Sequence, residues 1–219
     1  MSFFDRGVSA FIFDLDGTLI DTEKYYRICW PEAVAHFGYH MEDEMYLQAR
    51  SLGRPYVREQ YKEWFGPAFD YTAARDYRNV LFNRMVEEQG VAVKPGAFEL
   101  LHCLRGKGII TAIATATDRR RTEEFLHMTR LAGLFDCVCC ATEVALGKPS
   151  PDVYLYACRT VGKAPAECIA VEDSANGIRS AAAAGLRTVL VPDQREDEPE
   201  VSGLIFRRAS DLAQIITMD

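Results

Sequence analysis

An apolar run that ends in two aspartates constrains the fold of this chain more than any other feature. Residues 10–13 read Ala-Phe-Ile-Phe, and Asp14-Leu15-Asp16-Gly17-Thr18 follows directly. Because the run has no polar alternation, it predicts a strand that is buried on both faces, as in a parallel sheet. Ligands bind at the carboxyl edge of open parallel sheets. The sequence therefore predicts two carboxylates at the ligand-binding edge of a sheet.

Strand-like and helix-like patterns alternate in the second half of the chain. The predicted strands span residues 109–115, 137–141, 168–171, 187–191 and 204–206. Predicted helices span residues 119–131 and 174–184, and Ser210 is a candidate cap for a final helix. A further helix is predicted from Ser150-Pro151-Asp152, with Ser150 as its cap residue, to Gly162. Strands that alternate with helices imply right-handed crossovers and an α/β fold with a parallel sheet covered on both faces.

Residues 21–90 interrupt this alternation. The stretch is too long for a loop, and its apolar residues recur mostly at helical spacing. It holds 14 of the 24 aromatic residues of the chain, enough material for a small core of its own. We therefore predict three to four helices that form an inserted helical domain over residues 21–91, while residues 1–20 and 92–219 form the sheet domain. Gly90 and residues 93–96 are the predicted return hinge.

Composition excludes several classes of function. A formal net charge of −7 disfavours a nucleic-acid surface. The basic run at residues 119–121 is interpreted as a solvated helix start, with anion binding as the alternative. No apolar stretch is long enough to cross a bilayer, and the N-terminus lacks the pattern of a signal peptide. We therefore expect a cytoplasmic protein without a membrane, nucleic-acid or obligatory protein partner.

The cysteine pattern also favours a cytoplasmic protein. An odd count of seven cysteines, without a signal peptide, predicts reduced thiols. The Cys137-Val138-Cys139-Cys140 run lacks a second pair at zinc-ligand spacing. It is therefore interpreted as part of a buried strand rather than as a metal site.

Other polar groups follow the later strands. Thr115 ends one strand, Lys148 precedes the Pro151 helix, and Glu172 and Asp173 end another strand. Acids that crowd at one edge repel each other unless a cation lies between them, and hard oxygen ligands suit Mg²⁺. One carboxylate could attack a phosphorus atom while a second moves protons. Each residue also has a structural alternative, because Asp-x-Asp pairs often lie in turns and Glu172-Asp173-Ser174 could be a helix cap.

Taken together, the motifs resemble those of the haloacid dehalogenase superfamily of phosphohydrolases. The matching residues, in the order that the family shows, are Asp14 to Thr18, Thr115, Lys148 in Gly147-Lys148-Pro149, and Glu172-Asp173-Ser174 with Gly177. The resemblance covers essentially the whole chain and implies a Rossmann-like core. The insert resembles the helical cap found in the group of β-phosphoglucomutase and many sugar-phosphate phosphatases.

The resemblance implies roles for individual residues. Asp14 would be the nucleophile that forms an aspartyl-phosphate, and Asp16 the general acid and base. Thr115 and Lys148 would hold the transferring phosphoryl group. The implied Mg²⁺ ligands are Asp14, Asp16 through its backbone carbonyl, Asp173 and, less directly, Glu172. The predicted substrate-binding residues are Gly17, Thr18, Ala116, Gly53 and Arg54.

The resemblance leaves the reaction within the family partly open. Dehalogenases and phosphonate hydrolases of the family lack the second aspartate, so Asp16 favours a phosphatase. The mutase has a cap arginine where this chain has Tyr56, and a histidine where it has Tyr26. We therefore expect an Mg²⁺-dependent phosphatase of a small metabolite, such as a sugar or polyol phosphate. A phosphosugar mutase and a non-catalytic phosphate-binding protein are the alternatives, and Arg54 is either a substrate ligand or a surface residue.

Overall fold

A computed structural model of the chain describes residues 7–196 and 198–218. Residues 1–6, which begin the predicted segment 1–20, and residues 197 and 219 lie outside the described residues. Within the described part, six parallel strands form one sheet in the order β3-β2-β1-β4-β5-β6. These strands are β1 (Ala10–Phe13), β2 (Ile110–Thr115), β3 (Cys137–Cys140), β4 (Cys168–Glu172), β5 (Arg187–Leu190) and β6 (Ile205–Arg208). The predicted α/β fold with a Rossmann-like parallel sheet is confirmed.

Strand β1 lies in the middle of the sheet, which fixes where the candidate site forms. It pairs with β2 on one side and with β4 on the other, with Ile12 opposite both Ala112 and Ala170. All four residues of β1 are buried, as their continuous apolar run predicts. Strand order reverses beside β1, so this position is the topological switch point of the sheet. The residues that follow β1, β2 and β4 therefore meet at one edge.

The helices of the described residues lie in two regions of the chain. Four precede β2 within residues 21–91: α1 (Glu23–His36), α2 (Asp43–Ala49), α3 (Tyr56–Phe65) and α4 (Tyr71–Gln89). The others are α5 (Ala97–Gly106), α6 (Arg119–Met128), α7 (Asp152–Val161), α8 (Ala175–Ala183) and α9 (Leu212–Ile216). Among the described residues, no helix combines the length and the apolar character needed to cross a bilayer.

The insert consists of helices, and its aromatic residues form much of its interior. Tyr61 and Phe82 are fully buried, and Tyr26 stacks on Phe82 with ring centroids 4.2 Å apart. The two chain segments that enter and leave the insert lie side by side, because the Asp21 N–H donates to the Ala92 carbonyl at 2.9 Å. The division into a core and a separate cap domain, and the hinge between them, stay predictions.

The two faces of the sheet bury different side chains. On one face, large residues of β1 such as Phe11 and Phe13 belong to a cluster that continues into the insert. On the other face, small strand residues including Ala170 and Cys139 pack with residues of α7 and α8 such as Cys158 and Ala181. Cys139 and Cys140 are buried and unbridged, in agreement with their interpretation as strand residues.

Several local predictions need correction. Helix α6 ends at Met128 rather than at residue 131, because Arg130 adopts a left-handed φ of 60°. Arg121 is not solvated: it is 9 % exposed, and its guanidinium packs 5.1 Å from the Phe82 ring centroid.

The cap predictions were also wrong for two helices. The N-cap residue of α9 is Asp211 rather than Ser210. The N-cap residue of α7 is Pro151, since the Ser150 hydroxyl donates to the Asp152 carboxylate instead. In both cases the side chain that would have capped the helix lies one residue before the position that the backbone selects.

Candidate active site

Asp14, Lys148 and Glu172 form a buried ion cluster at the carboxyl edge of β1. The Lys148 Nζ donates to Asp14 Oδ1 at 2.5 Å and to Glu172 Oε1 at 2.6 Å, and the Tyr154 hydroxyl also donates to Glu172 Oε1 at 2.6 Å. Each of these side chains is at least 98 % buried. Burial raises the pKa of Asp14 well above its usual value although Lys148 lowers it. Burial by itself would lower the pKa of Lys148. The negative charges of Asp14 and Glu172 outweigh burial and raise the pKa above its usual value, so the ammonium stays charged.

Asp16 is held apart from this cluster by two hydroxyl groups. The Thr22 hydroxyl donates to Asp16 Oδ1 at 2.6 Å, and the Thr117 hydroxyl donates to Oδ2 at 2.8 Å. Burial raises the pKa of Asp16 above its usual value, and the two hydrogen bonds oppose that shift. The two aspartates of the opening motif therefore lie in different environments, one beside an ammonium and one between neutral donors. A carboxyl with a raised pKa suits proton transfer near neutral pH.

Asp173 is paired with an arginine from the insert. Arg50, the residue that follows α2, donates from Nη1 to Asp173 Oδ2 at 2.9 Å and from Nη2 to Glu198 at 2.5 Å. The Thr18 hydroxyl donates to Asp173 Oδ1 at 3.3 Å. Gly17 has a φ of 83°, and a Cβ at that position would overlap the Asp173 carboxylate. Glycine is therefore needed both for the backbone conformation and for the close approach.

The chemistry of the acidic residues fits a hard divalent cation. Oxygens of Asp14, Glu172 and Asp173 lie within 4.8 Å of one another. Asp14 Oδ2 is buried and has no hydrogen-bond partner, so this oxygen is available to a metal ion. Burial raises the pKa of Asp173 as well as that of Asp14, and an adjacent cation would oppose both shifts. The side chain of Asp16 is not part of this group of acids.

Most of the other predicted site residues line a cavity of about 740 Å³. Thr115 and Ala116 line it beside Asp14 and Asp16, and the Thr115 hydroxyl accepts a hydrogen bond from the Thr117 N–H at 3.0 Å. The remaining predicted residues that line it are Gly53 and Arg54. Gly17 and Thr18 contact Asp173 and are not among the lining residues.

The loop between α2 and α3 closes directly onto the loop of Lys148. The Gly53 N–H donates to the Lys148 carbonyl at 2.8 Å, and the Gly147 N–H donates to the Arg54 carbonyl at 2.8 Å. A Cβ on Gly53 would lie 2.5 Å from the Gly147 Cα, so the two backbones meet where only glycine fits. The insert thus contacts the loop of Lys148 beside the carboxyl edge of β1, and the Arg54 side chain is exposed at the cavity.

Sequence reasoning missed several residues that surround the site. Arg50 pairs with Asp173, the hydroxyls of Thr22 and Thr117 orient Asp16, and Glu23 lines the cavity. Burial raises the pKa of Glu23 to about 7, although Arg50 and the Tyr46 hydroxyl oppose the shift. Thr117 follows the predicted site residues Thr115 and Ala116 directly, so its position after the strand was a local signal. Arg50 had none, because its contacts lie 123 residues along the chain.

Comparison with known proteins agrees with this geometry. Residues 8–185 match the family described as "Hydrolase: haloacid dehalogenase-like hydrolase". The chain belongs to this family. It is 35 % identical over 196 residues to Protein CbbY of Rhodobacter capsulatus, an alignment that covers 85 % of this chain and 86 % of that protein. The predicted superfamily resemblance is therefore confirmed.

Other relatives of this haloacid dehalogenase-like hydrolase have named activities. It is 29 % identical to hexitol phosphatase B of Escherichia coli (85 % of each chain covered) and 28 % identical to β-phosphoglucomutase of Bacillus subtilis (94 % and 92 % covered). A crystal structure of CbbY from Rhodobacter sphaeroides in complex with phosphate superposes with a TM-score of 0.77 at 27 % identity, over 95 % and 96 % of the chains. The predicted enzyme class, a phosphoric monoester hydrolase of this superfamily, is confirmed.

Proposed function

We propose that this hydrolase is an Mg²⁺-dependent phosphatase of a small phosphorylated metabolite, a sugar or polyol phosphate, that acts through an aspartyl-phosphate. The observation that carries the proposal is the contrast between two buried aspartates at one cavity: Asp14 is paired with Lys148, and Asp16 is held by two hydroxyls. We infer that Asp14 attacks the phosphorus atom and that Asp16 transfers protons. The hexitol phosphatase relative supports the substrate class.

The first half of the reaction transfers the phosphoryl group to Asp14. A carboxylate oxygen of Asp14 forms the new bond to phosphorus while the bond to the leaving oxygen breaks. We assign the stabilisation of the phosphoryl oxygens to the Lys148 ammonium, which contacts Asp14, and to the Thr115 hydroxyl at the cavity. Mg²⁺, held by Asp14, the Asp16 carbonyl and Asp173, would supply additional positive charge at the same oxygens. Glu172 positions Lys148, since its carboxylate accepts hydrogen bonds from that ammonium and from Tyr154.

Asp16 moves the protons in both halves of the reaction. In the first half it donates its proton to the departing alkoxide. In the second half its carboxylate takes a proton from the water that attacks the aspartyl-phosphate, which regenerates Asp14 and releases inorganic phosphate. Contacts between the Gly53 and Gly147 loops cover the site during attack, and their opening would admit water.

A substitution of Asp16 tests this division of roles. We expect Asp16→Asn to reduce kcat by about 10²- to 10⁴-fold, because the amide accepts hydrogen bonds but transfers no proton. The rate of phosphoryl transfer to Asp14 should fall less with p-nitrophenyl phosphate than with an alkyl phosphate, because p-nitrophenolate leaves without needing a proton. Rapid-quench measurement of the aspartyl-phosphate separates the two halves. Equal losses with both substrates in the first half would contradict the acid role of Asp16.

Arg54 provides a test of substrate binding by the insert. Its side chain is exposed and lines the cavity that contains Asp14. We expect Arg54→Ala to raise KM for the physiological substrate by about 10-fold with a smaller effect on kcat, since the contact would be made in ground state and transition state alike. Arg84→Ala, on an exposed position of α4 outside the cavity lining, is the matched control. Unchanged kinetics for Arg54→Ala would show that Arg54 is a surface residue and does not bind the substrate.

A substrate screen tests the proposed function as a whole. Phosphate release from a panel of sugar and polyol phosphates, with Mg²⁺ and with a chelator, should show metal-dependent hydrolysis. The mutase alternative is separated with β-glucose 1-phosphate and a catalytic bisphosphate, because a mutase yields glucose 6-phosphate rather than phosphate. Tyr26 lines the cavity and stacks on Phe82, so a tyrosine occupies the position of the mutase histidine. Tyr56 is not among the cavity-lining residues, and both observations favour the phosphatase. Absence of hydrolysis, including that of p-nitrophenyl phosphate, would refute the phosphatase.

A further inference from the structure

Arg78 is a buried cation between two aromatic rings of the insert. It lies on α4 and is 9 % exposed. The carbon at the centre of its guanidinium lies 4.6 Å from the ring centroid of Tyr26 and 4.6 Å from that of Trp30. Two ring contacts hold the plane of the guanidinium and compensate part of its lost hydration. The side chain is therefore fixed in position before any ligand arrives.

Among the described residues, no acidic partner contacts Arg78, in contrast to the buried cations Lys148 and Arg50. Lys148 meets Asp14 and Glu172, and Arg50 meets Asp173 and Glu198. Within residues 7–196 and 198–218, by contrast, no carboxylate pairs with Arg78, and its Nε–H is buried without an acceptor. A buried charge without a counter-ion is costly, so an anion bound at the cavity would stabilise Arg78.

The position of Arg78 relates it to the catalytic edge. It lines the same cavity as Asp14 and Asp16 but projects from the insert rather than from the sheet. Asp76 also lines the cavity and forms no ion pair with Arg78 among the described residues. The arginines along the cavity wall are Arg54, Arg58, Arg75, Arg78, Arg120 and Arg121. These arginines share the lining with Asp14, Asp16, Glu23, Asp76 and Asp118, and among the described residues Arg78 differs from the other arginines of the wall in being both buried and without an acceptor for its Nε–H.

We propose that Arg78 binds a second anionic group of the substrate, so that the substrate is a phosphate monoester that also carries a phosphate or a carboxylate. The inference rests on the proposed phosphatase function and narrows its substrate class. A guanidinium fixed between two rings presents its remaining N–H groups to both oxygens of such an anion. Arg78 lies on α4, whereas the mutase resemblance would place an anion-binding arginine at the position of Tyr56.

Matched substrate pairs isolate the second anion. Fructose 1,6-bisphosphate is compared with fructose 6-phosphate for a second phosphate, and 6-phosphogluconate with glucose 6-phosphate for a carboxylate. We expect the wild-type enzyme to prefer the more anionic member of at least one pair by about 10- to 100-fold in kcat/KM, the size of one charge-assisted contact. The pair that shows the preference identifies the anion.

Variants of Arg78 then test the residue. Arg78→Met keeps a chain of similar length between the rings and should reduce the preference to about 3-fold or less. Arg78→Lys, which keeps the charge but loses the planar fork, should retain an intermediate preference. Arg84→Met changes an exposed arginine on the same helix, outside the cavity lining, and should keep the wild-type preference. Thermal unfolding checks each fold, and Arg78→Gln replaces the methionine variant if that variant is unfolded.

A binding measurement separates this inference from the proposed function. Calorimetry on Asp14→Asn protein, with and without Arg78→Met, measures the affinity for both members of each pair in the absence of turnover. The inference holds if Arg78→Met weakens binding of the more anionic member selectively. It is overturned if the wild type shows no preference in either pair, or if Arg78→Met weakens both members equally. Hydrolysis that fails for every phosphate ester, with selective binding intact, would refute only the phosphatase.

Discussion

Asp14→Asn is expected to abolish turnover while the protein stays folded. The amide keeps the shape of the carboxylate but cannot form an acyl phosphate, so phosphate release should fall by roughly 10⁵-fold or more, the scale seen when a covalent nucleophile is removed. The loss should appear in kcat with every substrate, because the nucleophile is used whatever the leaving group.

The fold of the Asp14→Asn protein should survive for a reason that the structure gives. Burial raises the pKa of Asp14, which means that its charge is poorly solvated in the folded state. Removing that charge relieves an electrostatic cost, and Lys148 keeps its bond to Glu172. We therefore expect a thermal midpoint equal to or above that of the wild type.

Two measurements check the Asp14 prediction. Mass spectrometry after an acid quench should find the phosphoryl adduct on a wild-type peptide that contains Asp14 and no adduct in the variant. Asp43→Asn, at an exposed carboxylate paired with Arg27 far along the chain from the motif, is the matched control and should keep its activity. An Asp14→Asn protein with near-normal activity would rule out the aspartyl-phosphate.

Lys148→Met is expected to have a large effect on both stability and activity. Lys148 is the cation that both Asp14 and Glu172 contact, at 2.5 and 2.6 Å, and all three side chains are buried. Its loss leaves two buried carboxylates without their counter-ion, which destabilises proteins by about 3–5 kcal/mol. Activity should fall by on the order of 10³-fold, since the positive charge at the transferring phosphoryl group is lost as well.

The stability effect of Lys148→Met is measured by urea unfolding in the presence of a chelator. Lys62→Met removes an exposed lysine on α3 and should leave the free energy of unfolding within about 0.5 kcal/mol of the wild-type value. A Lys148→Met protein as stable as this control would show that the cluster does not depend on the ammonium. Fructose 6-phosphate and p-nitrophenyl phosphate serve for the activity assay.

The catalytic edge was predictable from the sequence for a topological reason. Parallel strands deliver the residues that follow them to the same edge, so an apolar strand with an acid after it specifies a position in space. Asp14 after β1, Thr115 at the end of β2 and Asp173 after β4 lie together as the strand order requires. The alternation of strands and helices fixed the parallel sheet in the same way.

The surroundings of that edge were not predictable, because local pattern does not determine burial of a charged residue. Arg121 was expected in solvent, yet it packs on Phe82 and donates to Asn83 at 3.0 Å. No local pattern around Arg50 or Arg78 predicts that these arginines are buried. Their burial depends on residues far along the chain, such as Asp173 for Arg50 and Tyr26 for Arg78.

The sequence by itself determined the family, the sheet and the acids at its edge, because strand order and residue type suffice to place them. Only the tertiary structure showed how the surroundings of the two aspartates differ, since the Lys148 ammonium contacts Asp14 whereas the hydroxyls of Thr22 and Thr117 contact Asp16. It also brought the unpaired guanidinium of Arg78 into the cavity of Asp14. Contacts of this kind depend on how the insert packs over the sheet, and no local spacing encodes that packing.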